Sequence, residues 1–370
     1  MKHILIDGTT ISRQMDGLTQ YILNVVLRLD KSAFRYTLLL RRGECPRDYF
    51  ERLQTSEIII EEVDISPIGP LRDIQFALYL HKHREFDAAF VPSNQYPLLL
   101  RLPTVYVIHD LIYEQFPEQL GRFGWLKRWY LRLVVRIGLH RATHVVAVSK
   151  YTKSEIVRCY GKCFQDKIQV IYEGWEHLEK NQHSELDRVD VPFEEYILYV
   201  GSSRGHKNLS RLVAAMQLCE QKLPKNMGLV IVGNQKMFSS DQLEAIKEAN
   251  AHRKLIELTG WLSDEKLNYC FKSAKAVIFP SLCEGFGIPV LEAFFHQKPL
   301  LLSNRSSLPE VAGDAAIYFD PMDINDIANK IIIFAETKEF YDLIEKQHKQ
   351  LGKYSWRKTA DQITNIFQFI

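Results

Sequence analysis

Several features of secreted, membrane-spanning and metal-dependent proteins are missing from this chain of 370 residues. Its six cysteines form no Cys-x-x-Cys pair and none has zinc-ligand spacing with a histidine, which favours reduced thiols over zinc ligands or disulfides. No apolar run approaches the roughly 18 residues of a membrane span. The first residues resemble a β-strand rather than a signal peptide. We therefore expect a cytoplasmic protein.

The chain also lacks a strong excess of charge. Its net charge of +2 is too small for the usual footprint of a nucleic-acid-binding protein, so no nucleic-acid partner is predicted. With 46% apolar and 25% charged residues, neither a disordered nor a fibrous architecture is favoured. Its length exceeds that of one ordinary domain of about 100 to 200 residues, so we expect two domains.

Short apolar, β-branched runs alternate with helical patterns along the whole chain, which is typical of α/β proteins with parallel sheets. Two series of strands are predicted, separated by a polar linker at 173–195. The first series comprises 3–6, 36–40, 58–62, 88–91, 104–108, 144–148 and 168–171, and the second 196–200, 229–232, 255–259, 276–279 and 300–303. A last amphipathic helix at 356–369 has a pattern that fits packing on either domain.

The most informative segment is 279–293. An apolar strand ends at Phe279, a loop with two glycines follows, and Pro289 suits the first turn of a helix. Ligands of open α/β sheets bind beyond the carboxyl ends of strands, where helix-start N–H groups attract a diphosphate. Glu284 and Glu292 are separated by seven residues. A bare Glu-x7-Glu is more often a helix-dipole carboxylate and a solvated side chain, but its surroundings favour a ligand site.

A second loop, 201–208, closes the first strand of the second series and precedes a helix, which again predicts an anion site. Arg204 and Lys207 are candidate clamps on a developing diphosphate charge. The alternative is a pair of solvated loop cations. In the first series, His109 and Asp110 follow the strand 104–108, and Gly17 lies where the first helix begins.

The run from Glu284 to Glu292 resembles the Glu-x7-Glu signature of retaining glycosyltransferases of family 4. The resemblance implies that Glu284 contacts the donor hexose and Glu292 the nucleotide ribose. The loop 201–208 is similar to the family's, except that His206 replaces the Arg of an Arg-Lys pair. The resemblance also gives His109 a role facing the donor sugar and the leaving phosphate. Further donor-binding residues that it implies are Gly285, Phe286, Gly287, Ile288, Gly201, Gly17, Gly260, Trp261 and Leu262.

The same resemblance implies a GT-B fold, in which two Rossmann-like domains face a central cleft. Residues 1–173, with the last helix 355–370 packing back on them, would bind the acceptor, and residues 174–354 the nucleotide-sugar. The implied reaction is retaining transfer of a hexose, mannose or similar, to a glycan or lipid-linked acceptor in polysaccharide biosynthesis. A nucleotide-sugar epimerase or hydrolase on the same fold and a non-catalytic nucleotide-sugar-binding protein stay open. No Asp-x-Asp triplet is present, so no metal and no cofactor are predicted.

The segment 122–141 predicts a helix with two stripes. Arg128, Arg132 and Arg136 recur at i, i+4 spacing, and a second stripe is apolar. The apolar positions are Trp125, Leu126, Trp129, Leu133 and Ile137. This pattern fits peripheral contact with the inner face of a membrane, or a core-facing helix with a solvated basic face.

Overall fold

The computed structural model describes residues 1–181, 188–337 and 339–370. The chain divides into two compact units. The N-terminal unit comprises Met1–Gly174 and Ser355–Ile370, and the C-terminal unit comprises Trp175–Tyr354. This division lies one residue from the boundary predicted after residue 173. Within the predicted linker 173–195, residues 182–187 lie outside the described residues.

The N-terminal unit is a parallel sheet covered by helices. Its strands are β1 (His3–Asp7), β2 (Arg35–Arg41), β3 (Ile59–Val63), β4 (Ala88–Val91), β5 (Thr104–Ile108), β6 (His144–Ala147) and β7 (Ile168–Val170). Its first helices are α1 (Gly17–Arg28), α2 (Arg47–Gln54), α3 (Pro70–Lys82), α4 (Ile112–Gln115), α5 (Gly124–Arg141) and α6 (Lys150–Tyr160). The strand order is β3-β2-β1-β4-β5-β6-β7, and every pairing is parallel. Strands β1, β4 and β5 are buried along their whole length, which explains their uninterrupted apolar sequence.

The C-terminal unit is a second parallel sheet, ordered β10-β9-β8-β11-β12-β13. Its strands are β8 (Glu195–Val200), β9 (Met227–Val232), β10 (Ile256–Gly260), β11 (Ala276–Phe279), β12 (Leu300–Ser303) and β13 (Ile317–Phe319). Its helices are α7 (Leu209–Cys219), α8 (Ser240–Ala249), α9 (Asp264–Ser273), α10 (Ile288–Phe295), α11 (Leu308–Ala312), α12 (Ile324–Glu336) and α13 (Tyr341–Leu351). Along the chain, β8 to β10 are added toward one edge of the sheet, and β11 to β13 are then added toward the other edge. Adjacent β8 and β11 therefore form the switch point of the sheet.

The last helix, α14 (Trp356–Gln368), belongs to the N-terminal unit and packs on α1. Ser355 caps it by accepting a hydrogen bond from the Lys358 N–H group. Trp356 is fully buried, and its ring meets the edge of Tyr21 at 5.8 Å between centroids. The helix return implied by the family resemblance is therefore present within this unit.

The prediction of two Rossmann-like sheets is confirmed, and each of the twelve predicted strands exists within two residues of its expected bounds. Strand β13 was not predicted. It has only three residues, and two of them are half-buried, so it offers neither an alternation nor an apolar run that a sequence pattern can detect.

The apolar stripe predicted for α5 is a core face only in part, because Ile137 packs against the core and the two tryptophans do not. The buried residues of this helix are Val134, Val135, Gly138 and Leu139, whereas Trp125 and Trp129 of the predicted apolar stripe are 72% and 63% exposed. The sequence contains two overlapping apolar stripes, and the one that includes Gly138 is selected by close packing. A Cβ at Gly138 would lie 2.6 Å from a ring carbon of Tyr106.

The predicted basic stripe of α5 is partly neutralised. The buried carboxylate of Glu114 accepts hydrogen bonds from Arg128 at 2.8 Å and from Arg132 at 2.6 Å. These two guanidinium groups lower the pKa of Glu114 and outweigh the opposing effect of its burial. None of the described helices has the length and apolarity that crossing a lipid bilayer requires.

Candidate functional site

The two loops singled out by the sequence follow neighbouring strands of the C-terminal sheet. The segment 201–208 follows β8, and 280–287 follows β11. Because the strands are parallel, both loops lie at the carboxyl edge of the sheet, at its switch point. This is the position at which open α/β sheets bind ligands.

The side chains of Lys207 and Glu284 meet across these loops. The Lys207 ammonium donates a hydrogen bond of 2.7 Å to Oε1 of Glu284. The two side chains are 22% and 15% exposed, so the ion pair is partly open to solvent. Burial by itself would raise the pKa of Glu284. The charge and hydrogen bond of Lys207 outweigh it, with help from a hydrogen bond with Ser281, and the pKa lies below its usual range.

Asn208 holds the Lys207 loop in place. Its side-chain amide donates to the carbonyl of Pro280 at 3.0 Å and to the carbonyl of Pro321 at 2.7 Å, which ties together the segments after β8, β11 and β13. Its backbone is left-handed, with φ of 60°, a conformation that asparagine tolerates better than most residues. The position of the lysine is therefore set by its buried neighbour.

The loop that carries Glu284 is held by two serines. The Glu284 N–H group donates to Oγ of Ser306 at 3.0 Å. The Ser307 hydroxyl lies 3.0 Å from the Glu284 carbonyl and 2.8 Å from the Phe286 carbonyl. Helix α10 then begins after Gly287, whose φ of 105° lies in a region that favours glycine. Pro289 stands in the first turn, as predicted.

Glu292 lies one turn into α10 and is half-buried. Burial, with a smaller contribution from the negative charge of Asp264, raises the pKa of this carboxyl to about 7. The positive charge of Lys207 opposes this rise in the pKa of Glu292 and is outweighed. The two acids of the motif therefore differ. Glu284 is stabilised as a carboxylate, whereas Glu292 keeps its proton to a higher pH.

The two other polar residues of the 201–208 loop behave differently. Arg204 is exposed, as a clamp for an arriving ligand requires. His206, which occupies the place of the family's Arg, is buried, and its carbonyl accepts the Leu282 N–H group at 2.7 Å. Burial lowers the pKa of His206 to about 4, so its ring is neutral at neutral pH. The histidine thus supports the loop and supplies no positive charge.

The segments after β8, β9 and β10 stack side by side at the same edge. Gly201 N–H donates to the Val232 carbonyl, and Gly233 N–H donates to the Gly260 carbonyl, each at 3.1 Å. A Cβ at Gly233 would lie 2.4 Å from the Gly201 carbonyl oxygen, so this close approach requires glycine. Gly233 was not predicted, although a glycine directly after a buried strand is the relevant signal. The predicted run from Gly260 to Leu262 begins at the last residue of β10, and its Trp261 ring is 70% exposed.

The predicted residues of the N-terminal unit lie at the carboxyl edge of its own sheet. Gly17 opens α1, and Asp16 caps this helix by accepting the Thr19 N–H group at 2.8 Å. His109 follows β5, and its ring meets the edge of the Tyr21 ring, with 4.6 Å between centroids.

Both ring nitrogens of His109 have partners. Nε2 lies 2.9 Å from the Pro92 carbonyl oxygen, and Nδ1 lies 3.4 Å from Oε1 of Glu173. Glu173 was not predicted as a site residue. Its signal in the sequence is an acid placed three residues after the end of the short strand β7.

The structure therefore brings Lys207 and Glu284 together, with Arg204 on the same loop as Lys207 and Glu292 on the helix that follows the Glu284 loop. It places the glycines of the C-terminal set at the same sheet edge. Gly17 and His109 belong to the N-terminal unit.

Two family models match the chain. The model described as Glycosyltransferase Family 4 matches residues 15–177, and the model described as Glycosyl transferases group 1 matches residues 185–355.

Curated relatives include three O-antigen or serotype-specific mannosyltransferases. O-antigen chain mannosyltransferase B of Escherichia coli is 26% identical over 246 residues, which are 65% of this chain and 64% of that protein. Serotype-specific mannosyltransferase WbdA of Escherichia coli is 27% identical over 81% of this chain and 37% of that protein. O-antigen chain mannosyltransferase RfbU of Salmonella typhimurium is 22% identical over 98% of both chains. The chain thus spans less than two thirds of the first two relatives.

Solved structures with the same fold include Anabaena Alr3699/HepE in complex with UDP and glucose, with a TM-score of 0.77 at 17% identity over the whole of both chains. WaaG, a glycosyltransferase involved in lipopolysaccharide biosynthesis, gives a TM-score of 0.70 at 14% identity over 98% of this chain and 99% of that one. These likenesses confirm the predicted GT-B fold.

Proposed function

Because the chain belongs to glycosyltransferase family 4, we propose that it transfers a hexose from a nucleoside-diphosphate sugar to a glycan or lipid-linked acceptor in polysaccharide biosynthesis. The names of the curated relatives make mannose the first sugar to test. Retention of configuration at the anomeric carbon is part of the proposal. The observation that carries it is the pair of Lys207 and Glu284 at the switch point of the C-terminal sheet.

Each residue of the site has a proposed task. Lys207 and the exposed Arg204 stabilise the negative charge that develops on the diphosphate as the bond between the sugar and phosphate breaks. The N–H groups near Phe286 to Ile288, where α10 begins, contribute to the same stabilisation. Glu284 accepts a hydrogen bond from a hexose hydroxyl, and Glu292 accepts from the ribose. His109 faces the donor sugar and the leaving phosphate.

The chemical step follows from these tasks. The bond from the anomeric carbon to the phosphate oxygen breaks, and the acceptor oxygen forms the new bond to that carbon. The departing phosphate oxygen takes the proton of the acceptor hydroxyl. No group of the protein is consumed, and we propose that neither a metal ion nor a cofactor takes part.

The test uses two lysine variants that report on opposite ends of the same strands. Lys207→Ala removes the ammonium at the carboxyl edge. Lys275→Ala is the matched control, because Lys275 forms an equally short ion pair of 2.6 Å with Glu195 at the amino end of β8 and β11. We expect Lys207→Ala to lower kcat by about 100-fold or more, whereas Lys275→Ala changes kcat by less than about twofold. Turnover near wild type in Lys207→Ala would refute the assignment.

Product analysis separates the alternative functions. The purified protein is incubated with GDP-mannose or a UDP-hexose, with and without an oligosaccharide or lipid-linked acceptor. An epimerase changes the donor when no acceptor is present. A non-catalytic binding protein is stabilised by the donor but forms no product with any acceptor. A retaining transferase gives a glycoside with the anomeric configuration of the donor, which NMR coupling constants show.

We also propose that the exposed start of α5 rests on an anionic membrane surface. Phe123, Trp125, Leu126 and Trp129 are between 45% and 72% exposed and lie within two helical turns. The segment 122–141 contains six lysine and arginine residues and no acid. Exposed aromatic side chains beside cations are typical of helices that bind at the lipid interface.

Vesicle flotation tests this contact. The double variant Trp125→Ser, Trp129→Ser is compared with Tyr341→Ser, which removes an aromatic ring that is 80% exposed in the C-terminal unit. We expect binding to phosphatidylglycerol vesicles that the double variant loses and the control keeps. Equal binding of all three proteins would contradict the proposal.

A further inference from the structure

The imidazole of His109 is held between two oxygen atoms. Its Nε2 lies 2.9 Å from the carbonyl oxygen of Pro92, and because a carbonyl only accepts, this nitrogen carries a hydrogen. Its Nδ1 faces the carboxyl group of Glu173 at 3.4 Å. A neutral imidazole with a hydrogen on Nε2 has a lone pair on Nδ1. One further proton must therefore lie between Nδ1 and the carboxyl group for these two groups to attract each other.

The surroundings of Glu173 favour this proton. The Glu173 side chain is 5% exposed, and that of His109 is 13% exposed. Burial raises the pKa of Glu173, His109 opposes this effect, and the negative charge of Asp110 adds to it. Burial, with a contribution from the charge of Glu173, raises the pKa of the Tyr21 hydroxyl on α1, so this group stays protonated. A bare carboxylate here, beside Asp110 and a lone pair of His109, would be an uncompensated buried charge.

The backbone around both residues is fixed. The His109 N–H group donates to Oδ1 of Asn94 at 2.9 Å, and its carbonyl accepts the Thr152 hydroxyl at 3.0 Å. Next to Glu173, the Tyr172 carbonyl accepts the Thr359 hydroxyl of α14 at 2.6 Å.

On the other side of Glu173, a Cβ at Gly174 would lie only 2.0 Å from the backbone nitrogen of Trp356, so the chain there is pressed against the start of α14. The acid is therefore presented to the imidazole by rigid segments on both of its sides.

We propose that Glu173 is a positioning residue for His109, and that the two side chains share one proton between Nδ1 and Oε1. The proton moves only between these two atoms, so the pair stays neutral and needs no further reactant. The ring is fixed in the form that carries a hydrogen on Nε2. With both ring nitrogens engaged by oxygen atoms of the protein, His109 faces the donor as an oriented ring and not as a general base. This role rests on the proposed function, in which His109 faces the donor sugar.

The test is NMR of the full-length protein labelled with 15N-histidine, in the wild type and in Glu173→Gln. The His109 signals are identified by their loss in His109→Gln. In the wild type at neutral pH we expect an Nδ1 signal that is shifted by the shared proton from that of a nitrogen without a hydrogen. In Glu173→Gln we expect Nδ1 to become an ordinary acceptor, with the signal of a nitrogen that carries no hydrogen.

The matched control is Glu85→Gln, which removes the carboxyl group that lies 3.3 Å from Nδ1 of the half-exposed His83. It changes the His83 signals and leaves those of His109 unaltered. The proposal is overturned if Glu173→Gln leaves the His109 signals as they are in the wild type. If Glu173→Gln does not fold, the wild-type spectrum decides, because an unshifted Nδ1 signal at neutral pH excludes a shared proton.

Kinetics give a second readout that is separate from the NMR result. We expect Glu173→Gln to lower kcat by about 10- to 100-fold with little change in KM, since the donor still binds but meets a less constrained ring. A shared proton seen by NMR in a protein that transfers no sugar would refute the proposed function and leave the pair intact. Sugar transfer with an unshifted Nδ1 signal would refute the pair alone.

Discussion

Replacing Glu292 by glutamine should make the protein more stable at pH 8 while it weakens donor binding. Burial raises the pKa of the Glu292 carboxyl to about 7, whereas its ordinary value is 4.5. The folded protein therefore holds the proton more tightly than the unfolded chain does. The stability that the protonated Glu292 carboxyl contributes to the folded protein is fully present below about pH 4.5 and is lost as the pH rises through about 7.

The size of the effect follows from the shift in pKa. Each pKa unit corresponds to about 1.4 kcal/mol, so the shift amounts to about 3 kcal/mol, and solvent at the exposed side of this half-buried group reduces it to about 2 kcal/mol. For a domain of the size of the C-terminal unit, a gain of about 2 kcal/mol in the free energy of unfolding raises Tm by about 4 to 8 °C. We expect this gain in Glu292→Gln at pH 8 and almost none at about pH 4.5, by differential scanning calorimetry without ligand.

Glu284→Gln is the control, and its effect should have the opposite sign. Although burial opposes it, Lys207 holds the pKa of Glu284 below its ordinary value, so the stability due to this carboxylate is present above about pH 4.5 and is lost as the pH falls further. Glu284→Gln should therefore lower Tm at pH 8. If both variants shift Tm in the same direction at pH 8, the reasoning about the two acids is wrong.

Three further predictions concern the loops and the chemistry. Asn208→Asp loses the two amide hydrogen bonds to the carbonyls of Pro280 and Pro321, so we expect the free energy of unfolding to fall by about 2 to 3 kcal/mol, with a lower Tm. Asn208→Gly is the control for the backbone, because it also lacks the amide but adopts the left-handed φ without strain. Gly287→Ala must hold φ near 105° with its Cβ 2.9 Å from a Leu308 methyl, and should cost about 1 to 3 kcal/mol and weaken donor binding in calorimetric titration. Excess EDTA should leave the rate of sugar transfer unchanged within about 20%, and a loss that Mg²⁺ or Mn²⁺ restores would contradict the proposed metal-independent reaction.

Much of the fold was predictable because the central strands of both parallel sheets are buried on two faces and stand out as apolar runs. The positions of the two loops followed from the same pattern, since a strand's end fixes where its loop begins. Glycine and proline then located the start of α10 within one residue.

The features that sequence reasoning missed depend on contacts between distant residues. The buried face of α5 is decided by Gly138 against Tyr106, which lie far apart in the chain. Asn208 joins three loops through carbonyl groups that leave no mark in a sequence. Likewise, nothing in the sequence pairs Glu173 with His109, because each simply follows its own strand.

The most direct measurement is a crystal structure of the protein with UDP-glucose or GDP-mannose, whichever raises its Tm more. We predict that the diphosphate oxygens lie within hydrogen-bonding distance of Lys207 Nζ, with the hexose at Glu284 and the ribose at Glu292. A donor bound elsewhere, with Lys207 and Glu284 still paired to each other and Glu292 not in contact with the nucleotide, would contradict the proposed site.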